Sequence, residues 1–279
     1  FNKSAADYAL MGRFGNVMLV NGETEYTRSF RRGEVVRFYI TNAANTRVFN
    51  FSIPGAKMKL VGADAGKYER ETFVDNVIIS PSEREIVEVI FDHEGTYKLI
   101  HTTPARTYTL GTIEISAEKA APLYAKEWNT LRTNRDVANE FKAYRAYFDK
   151  VPDKRIALSV DLLGAMGNMM GGDGHTDHSH EAPTESNTMS GMGGHTMPDG
   201  SMMGGMAGNS GQEIEWEDDM PMMNTMSTSE NVKWNVIDRD SGKKNMDIDW
   251  KFKKGDIIKI SIFNDPKSAH PMQHPIHFH

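Results

Sequence analysis

Along the first 116 residues, short apolar runs alternate with polar breaks at a spacing that predicts strands. The runs are VMLV at 17–20, EVVRFYIT at 34–41, RVFNFSI at 47–53, KMKLVGA at 57–63, NVIISP at 76–81, EIVEVIF at 85–91 and TYKLIH at 96–101. They are rich in Val, Ile, Phe and Tyr, and Asn-Gly, Arg-Gly, Pro-Gly and Glu-Gly turn signals separate them. Strands this short and this evenly spaced predict a sandwich or barrel. After Ala117 the period changes. Val137, Phe141, Tyr144 and Phe148 recur at helical intervals between Pro122 and Pro152, which predicts a helix over 134–150.

Strand-like sequence returns at Ile156 with IALSVDLL and then breaks into a low-complexity block. Gly164 to Gly211 holds thirteen Gly and nine Met with few β-branched or aromatic residues, a composition that cannot pack as a core and predicts disorder. VKWNVI at 232–237, MDIDWKF at 246–252 and DIIKISIFN at 256–264 then predict three more strands. The expectation is an all-β chain. One β unit spans 1–117, a connector with one helix spans 118–155, and a second β unit spans 156–279 with a Met-rich insertion at 164–223. The two units also repeat each other: Phe30 to Asn42 aligns with Phe252 to Asn264 without a gap, at a constant offset of 222. Beyond the shared Asn, only the second copy runs into histidines.

Charge sharpens this division. The formal net charge is −6, which argues against a nucleic-acid partner, since such a partner calls for a basic surface or stripe. Ile156 to Val232 contains no Lys or Arg and twelve Asp and Glu, so that stretch carries −12 and the remainder +6. A cation is drawn to it. No apolar run approaches the length of a membrane span. The absence of Cys excludes disulfides and thiolate chemistry within the chain.

The chemistry is concentrated in His270-Pro-Met-Gln-His274-Pro-Ile-His277-Phe-His279. If this run is extended, His277 and His279 project from one strand face and His274 from the other, so a single strand can feed two metal sites. Imidazole suits copper, zinc and iron alike. The alternative is a surface cluster of histidines without a metal.

This motif resembles the start of the third domain of three-domain multicopper oxidases, the laccase and copper efflux oxidase family, in which cupredoxin domains repeat. Asn16 to Gly22, Arg37 to Arg47, Val61 to Gly66 and Ile79 to Glu85 resemble the family's middle domain, which holds no copper. The resemblance implies two cupredoxin-like Greek-key sandwiches. It implies copper as cofactor, with His274 a type 1 ligand, His277 a type 2 ligand and His279 a type 3 ligand. It also implies that the family's first domain and its His-Cys-His segment, both needed to complete these centres, are further parts of the same oxidase. On this reading the chain as given is inactive, and the complete protein is extracytoplasmic, as in the periplasm.

Thirteen of the eighteen methionines lie between Met166 and Met226, and soft thioethers favour Cu(I). With His175, His178, His180 and His195 the block resembles the insertion of copper efflux oxidases; otherwise it is a solvated loop. Met272, two residues before His274, reads either as a thioether offered to substrate Cu(I) or as a packing residue. The acidic run ending in Asp218 and Asp219, beside Met220, Met222 and Met223, reads either as a surface for the substrate cation or as a solvated face. Three functions compete. One is an oxidase passing electrons from Cu(I) or a small aromatic donor to dioxygen. The others are a copper-sequestering protein and a β unit with no chemistry of its own.

Overall fold

The computed structural model describes residues 7–164, 167, 214–274 and 276. The low-complexity block, His277 and His279 lie outside the described residues, as does the disorder expected of the block.

The first unit is a sandwich. Strands β1 (Tyr26–Arg32), β3 (Phe49–Ser52), β6 (Val77–Ile79), β8 (Gly95–Thr102) and β9 (Thr107–Lys119) form one sheet in the order β1-β9-β8-β3-β6. Strands β2 (Val35–Thr41), β4 (Lys57–Ala63), β5 (Gly66–Val74) and β7 (Arg84–Ile90) form the other, in the order β2-β7-β4-β5. Alternate residues of both sheets point inward, and Phe51, Met58, Val87, Val89, Phe91 and Ile113 make the core between them. The expected strand at 17–20 reduces to an isolated bridge between Val20 and Glu23.

Strands β1, β5 and β9 are absent from the expected list for identifiable reasons. β1 reads YTRSFRR, too charged to register as an apolar run. β5 buries the charged Glu71 rather than an apolar residue at that position. β9 is interrupted by Gly111, which lies where β1 passes: a Cβ there would sit 2.7 Å from the Tyr26 carbonyl oxygen.

The connector carries two helices, α1 (Ala125–Asn129) and α2 (Arg135–Lys142), and a 3-10 turn at Arg145–Tyr147. The helix expected over 134–150 is thus broken near Tyr144, and Phe141, Tyr144 and Phe148 stay exposed. The connector is fastened by polar contacts instead. Lys59, almost wholly buried on β4, donates to the Trp128 carbonyl of α1 at 3.0 Å and pairs with Glu88 at 3.0 Å and Glu71 at 3.5 Å. Arg132 completes Glu71.

In the second unit, β10 (Lys154–Leu162) pairs antiparallel with β11 (Val232–Asp238) and parallel with β12 (Ile260–Asn264). The strand expected at 246–252 does not form; a 3-10 turn at Asn245–Asp247 and non-ladder backbone replace it, and the strand expected at 256–264 shortens to β12. Alternation alone does not make a strand where, among the described residues, no neighbouring backbone offers a ladder. Between β10 and β11 a short helix, α3 (Pro221–Met226), was not expected.

The repeat survives in atomic detail. Gly33 and Gly255, 222 residues apart, both take positive φ (81° and 96°), the conformation glycine tolerates best. In the first copy the Arg31 amide donates to Glu34 Oε2 at 2.9 Å, and in the second the Lys253 amide donates to Asp256 Oδ2 at 2.8 Å. The backbone bonds Glu34 to Arg31 and Asp256 to Lys253 match as well.

Candidate metal centre

The histidine segment leaves β12 at Asn264 and runs back across β10. The Asp265 amide donates to the Leu158 carbonyl, and the Ser268 hydroxyl accepts from the Val160 amide at 2.7 Å. Asn264 Nδ2 reaches forward to the Met272 carbonyl at 2.7 Å, closing the loop. Its counterpart Asn42 does the same work more fully, donating to the Arg47 and Ile79 carbonyls and accepting from the Ala44 amide.

Met272 is 7% exposed and packs with Leu10, Met11, Phe14, Val160 and Val232, with Met220 and Met223 at the margin. This cluster joins a segment that precedes the first sandwich to the second sheet. Asn224 of α3 seals the join: its Oδ1 accepts from the Met11 amide, and its Nδ2 donates to the Gly12 carbonyl and to Asp218. Ser227 accepts from the Leu10 amide. Residues 214–227 are therefore fastened at Asn224 and Ser227 and exposed in part. Met222 and Asp219 are exposed, and Asp218 keeps one buried oxygen without a partner.

His274 stands edge-on to Trp234, ring centroids 5.0 Å apart, and Trp234 is itself fixed by donating to the Ala9 carbonyl. The Nε2 atoms of His274 and His270 are buried and unpartnered. Burial pushes both imidazoles below their usual pKa, and for His270 the neighbouring His274 adds to it. Both are held in the neutral form that can offer a lone pair. His270 Nε2 lies 3.9 Å from Glu215, whose carboxyl is pushed up to about 7 by burial and by Asp219 and Asp218. His274, Trp234 and Met272 line a cleft of about 760 Å³ together with Leu10, Asp64 and Arg84.

His101 of the first unit makes an instructive contrast. It too is buried, with Nε2 unpartnered and its pKa lowered by burial and by the Arg47 charge. Its Nδ1, however, accepts from the Asn50 amide at 3.0 Å, so in the neutral ring the proton sits on Nε2. Phe49, Tyr108 and Trp216 surround it. That nitrogen is a donor in an aromatic box and has no lone pair for a metal.

Among the described residues no three His, Cys, Asp or Glu side chains are grouped to hold a metal ion. The proposed companions of His274, His277 and His279, lie outside the described residues. The donors that are described fit copper: a buried neutral imidazole with a free lone pair, next to thioethers. Arg47, Tyr108, Trp234 and Gln273 were missed by sequence reasoning because each acts on a partner distant in the chain. A Trp on a strand otherwise alternating polar and apolar was the sole available signal.

The family model for multicopper oxidases matches residues 2–118. Two curated relatives are similar over shorter stretches. The multicopper oxidase LPR2 of Arabidopsis thaliana is 36% identical over 80 residues, 28% of this chain and 13% of the relative. Copper resistance protein A of Escherichia coli is 32% identical over 112 residues, 38% of this chain and 18% of the relative. The matched stretches thus span less than a fifth of either relative. A solved structure described as a multicopper oxidase from Campylobacter jejuni, a metallo-oxidase, is 26% identical with a TM-score of 0.42, covering 60% of this chain and 34% of that one. The match to the multicopper oxidase family thus rests on residues 2–118 of this chain.

Proposed function

We propose that the complete protein couples one-electron oxidation of a donor, Cu(I) or a small phenol-like molecule, to four-electron reduction of dioxygen to water. Four donor electrons and four protons are consumed for each dioxygen, which leaves as two waters. The observation that carries this reading is the buried, neutral His274 with an unpartnered Nε2 at the wall of a cleft, in a chain that matches this family over residues 2–118. His274 holds the type 1 copper, His277 the type 2 and His279 a type 3. Copper bound there supplies reversible one-electron chemistry. The chain's own residues do the positioning. Trp234 sets the plane of the His274 ring, the apolar cluster around Met272 excludes water, and burial keeps the imidazole unprotonated.

On the same reading Met272, Met220, Met222 and Met223 with Asp218 and Asp219 form the contact for substrate Cu(I), and the protein works in the periplasm or another extracytoplasmic space. The boundaries 1–117, 118–155 and 156–279 divide a copper-free domain, a connector and a copper domain. The experiment is oxygen consumption by the complete copper-loaded protein. Four Cu(I) oxidised per dioxygen, with a loss on deleting 164–211 that is larger for Cu(I) than for a bulky phenol, supports the oxidase. Copper uptake with no oxygen consumed replaces it with the second reading, a copper-sequestering protein that uses the Met and His block.

A further inference from the structure

The last strand before His274 ends at Asn264, ten residues earlier, so among the described residues no ladder holds the imidazole. The chain's final polar restraint before it is Gln273. The Glu215 amide donates to Gln273 Oε1 at 2.9 Å, and Gln273 Nε2 donates to the Glu215 carbonyl at 3.2 Å. The side-chain amide thus pairs with one residue's backbone N–H and C=O as a neighbouring strand would. Only a carboxamide can donate and accept in this way, and Asn is a methylene shorter.

The partner segment is itself bolted to the first sandwich. Arg47, 5% exposed, donates to the Trp216 carbonyl at 3.3 Å and to Glu217 Oε2 at 2.9 Å while its other nitrogens reach the Phe14 and Gly15 carbonyls. Tyr108 donates to the second Glu217 oxygen at 2.8 Å. Glu215 therefore sits two residues from a fixed point on the other unit, and Gln273 one residue from the imidazole.

We propose that Gln273 is the positioning residue of His274: its paired hydrogen bonds to the Glu215 backbone transmit the anchor at Arg47 and Glu217 to the ligand-bearing segment. This rests on the reading of His274 as a copper ligand. Groups that hold a ligand in place change metal affinity about 10- to 100-fold when lost, and a pair of hydrogen bonds of ordinary strength accounts for about tenfold.

The test uses Gln273→Met, which keeps length and removes both bonds, and Gln273→Glu, which keeps the acceptor and loses the donor. In the metal-free protein, hydrogen exchange at the Glu215 amide accelerates about tenfold or more in the Met variant and stays near wild type in the Glu variant. In the copper-loaded complete protein the Met variant shows a shifted type 1 band and copper retention reduced about tenfold, and the Glu variant is intermediate. Unchanged exchange at Glu215, or an unchanged band and unchanged retention in the Met variant, overturns the proposal. A blue band that survives His274→Ala instead removes the copper assignment, and the exchange result still reports on the clasp.

Discussion

The two copies of the repeat turn in the same way at Gly33 and Gly255 and end on the same asparagine, yet the polar atoms buried around that asparagine are paired in the first copy and left unpaired in the second. In the first unit Asn42 uses both ends of its amide, and the buried Lys59 sits among Glu71, Glu88 and the Trp128 carbonyl. In the second, Asn264 Oδ1, His270 Nε2, His274 Nε2 and the nearby Asp218 Oδ1 are buried without partners. An unpaired buried polar group costs roughly 1–3 kcal/mol, so four in one neighbourhood need a reason. The first unit and the connector leave two such atoms, His101 Nε2 and Trp128 Nε1, both N–H donors, and the larger group beside His274 is the pattern expected if only the second unit binds metal. His101 sharpens the lesson, because burial and an unpartnered nitrogen are not enough when the proton sits on that nitrogen.

The largest effect is expected where the first unit is broken at its charge cluster. Lys59→Met leaves Glu71 and Glu88 buried with only Arg37 and Arg132 to answer them, and should destabilise the first unit by about 3–5 kcal/mol in denaturant unfolding. A loss below about 1 kcal/mol would show that the network contributes little.

The asparagines come next. Asn42→Ala removes three hydrogen bonds and should cost about 2–3 kcal/mol, whereas Asn264→Ala removes one and should cost about 1 kcal/mol, both read from the unfolding midpoint. Equal costs would mean that the two copies are satisfied to the same degree. At the shared turn Gly33→Ala and Gly255→Ala each force a side chain into positive φ and should each cost about 1–2 kcal/mol, with Gly33→Ala the larger because a Cβ there would also sit 2.8 Å from Leu123 Cδ2 while the space at Gly255 is open.

Much of the first unit was legible because β-branched and aromatic residues are dense along β2, β4, β7 and β8, enough to mark them as strands although β4 also buries Lys59 and β7 Glu85 and Glu88. β5 was not, because its buried Glu71 is acceptable only through Lys59 from β4 and Arg132 from the connector, which no local pattern reports. The strand expected at 246–252 failed for the converse reason, a good alternation with no partner ladder among the described residues. The histidine motif was fully visible in the sequence, and so was the repeat. What held the motif was not: the Gln273 clasp spans 58 residues and the Arg47 anchor 170, distances over which periodicity carries no information.

The smallest effect concerns pH at the segment joining the two units. Burial alone would push the Glu217 carboxyl up, but hydrogen bonds from Arg47 and Tyr108 hold it below the usual range. Its contribution is therefore present above the ordinary carboxylate pKa and is lost as pH falls through its lowered value. Glu215 has the opposite sign. With its pKa pushed up to about 7, its contribution is full below the ordinary carboxylate range and declines as pH rises through about 7. Amide exchange in residues 214–219 should be slowest near the ordinary carboxylate pKa of 4.5, after correction for intrinsic rates, and Glu215→Gln should flatten the alkaline side. A profile unaffected by that substitution would contradict the assignment.

The most direct test of the difference between the units is the visible spectrum of the complete copper-loaded protein carrying His274→Ala or His101→Gln. Both remove a buried, neutral imidazole with an unpartnered Nε2. The account predicts that His274→Ala abolishes the blue absorption and lowers oxygen consumption by more than about 100-fold, while His101→Gln leaves the band in place. A blue band that persists without His274, or vanishes without His101, would contradict it.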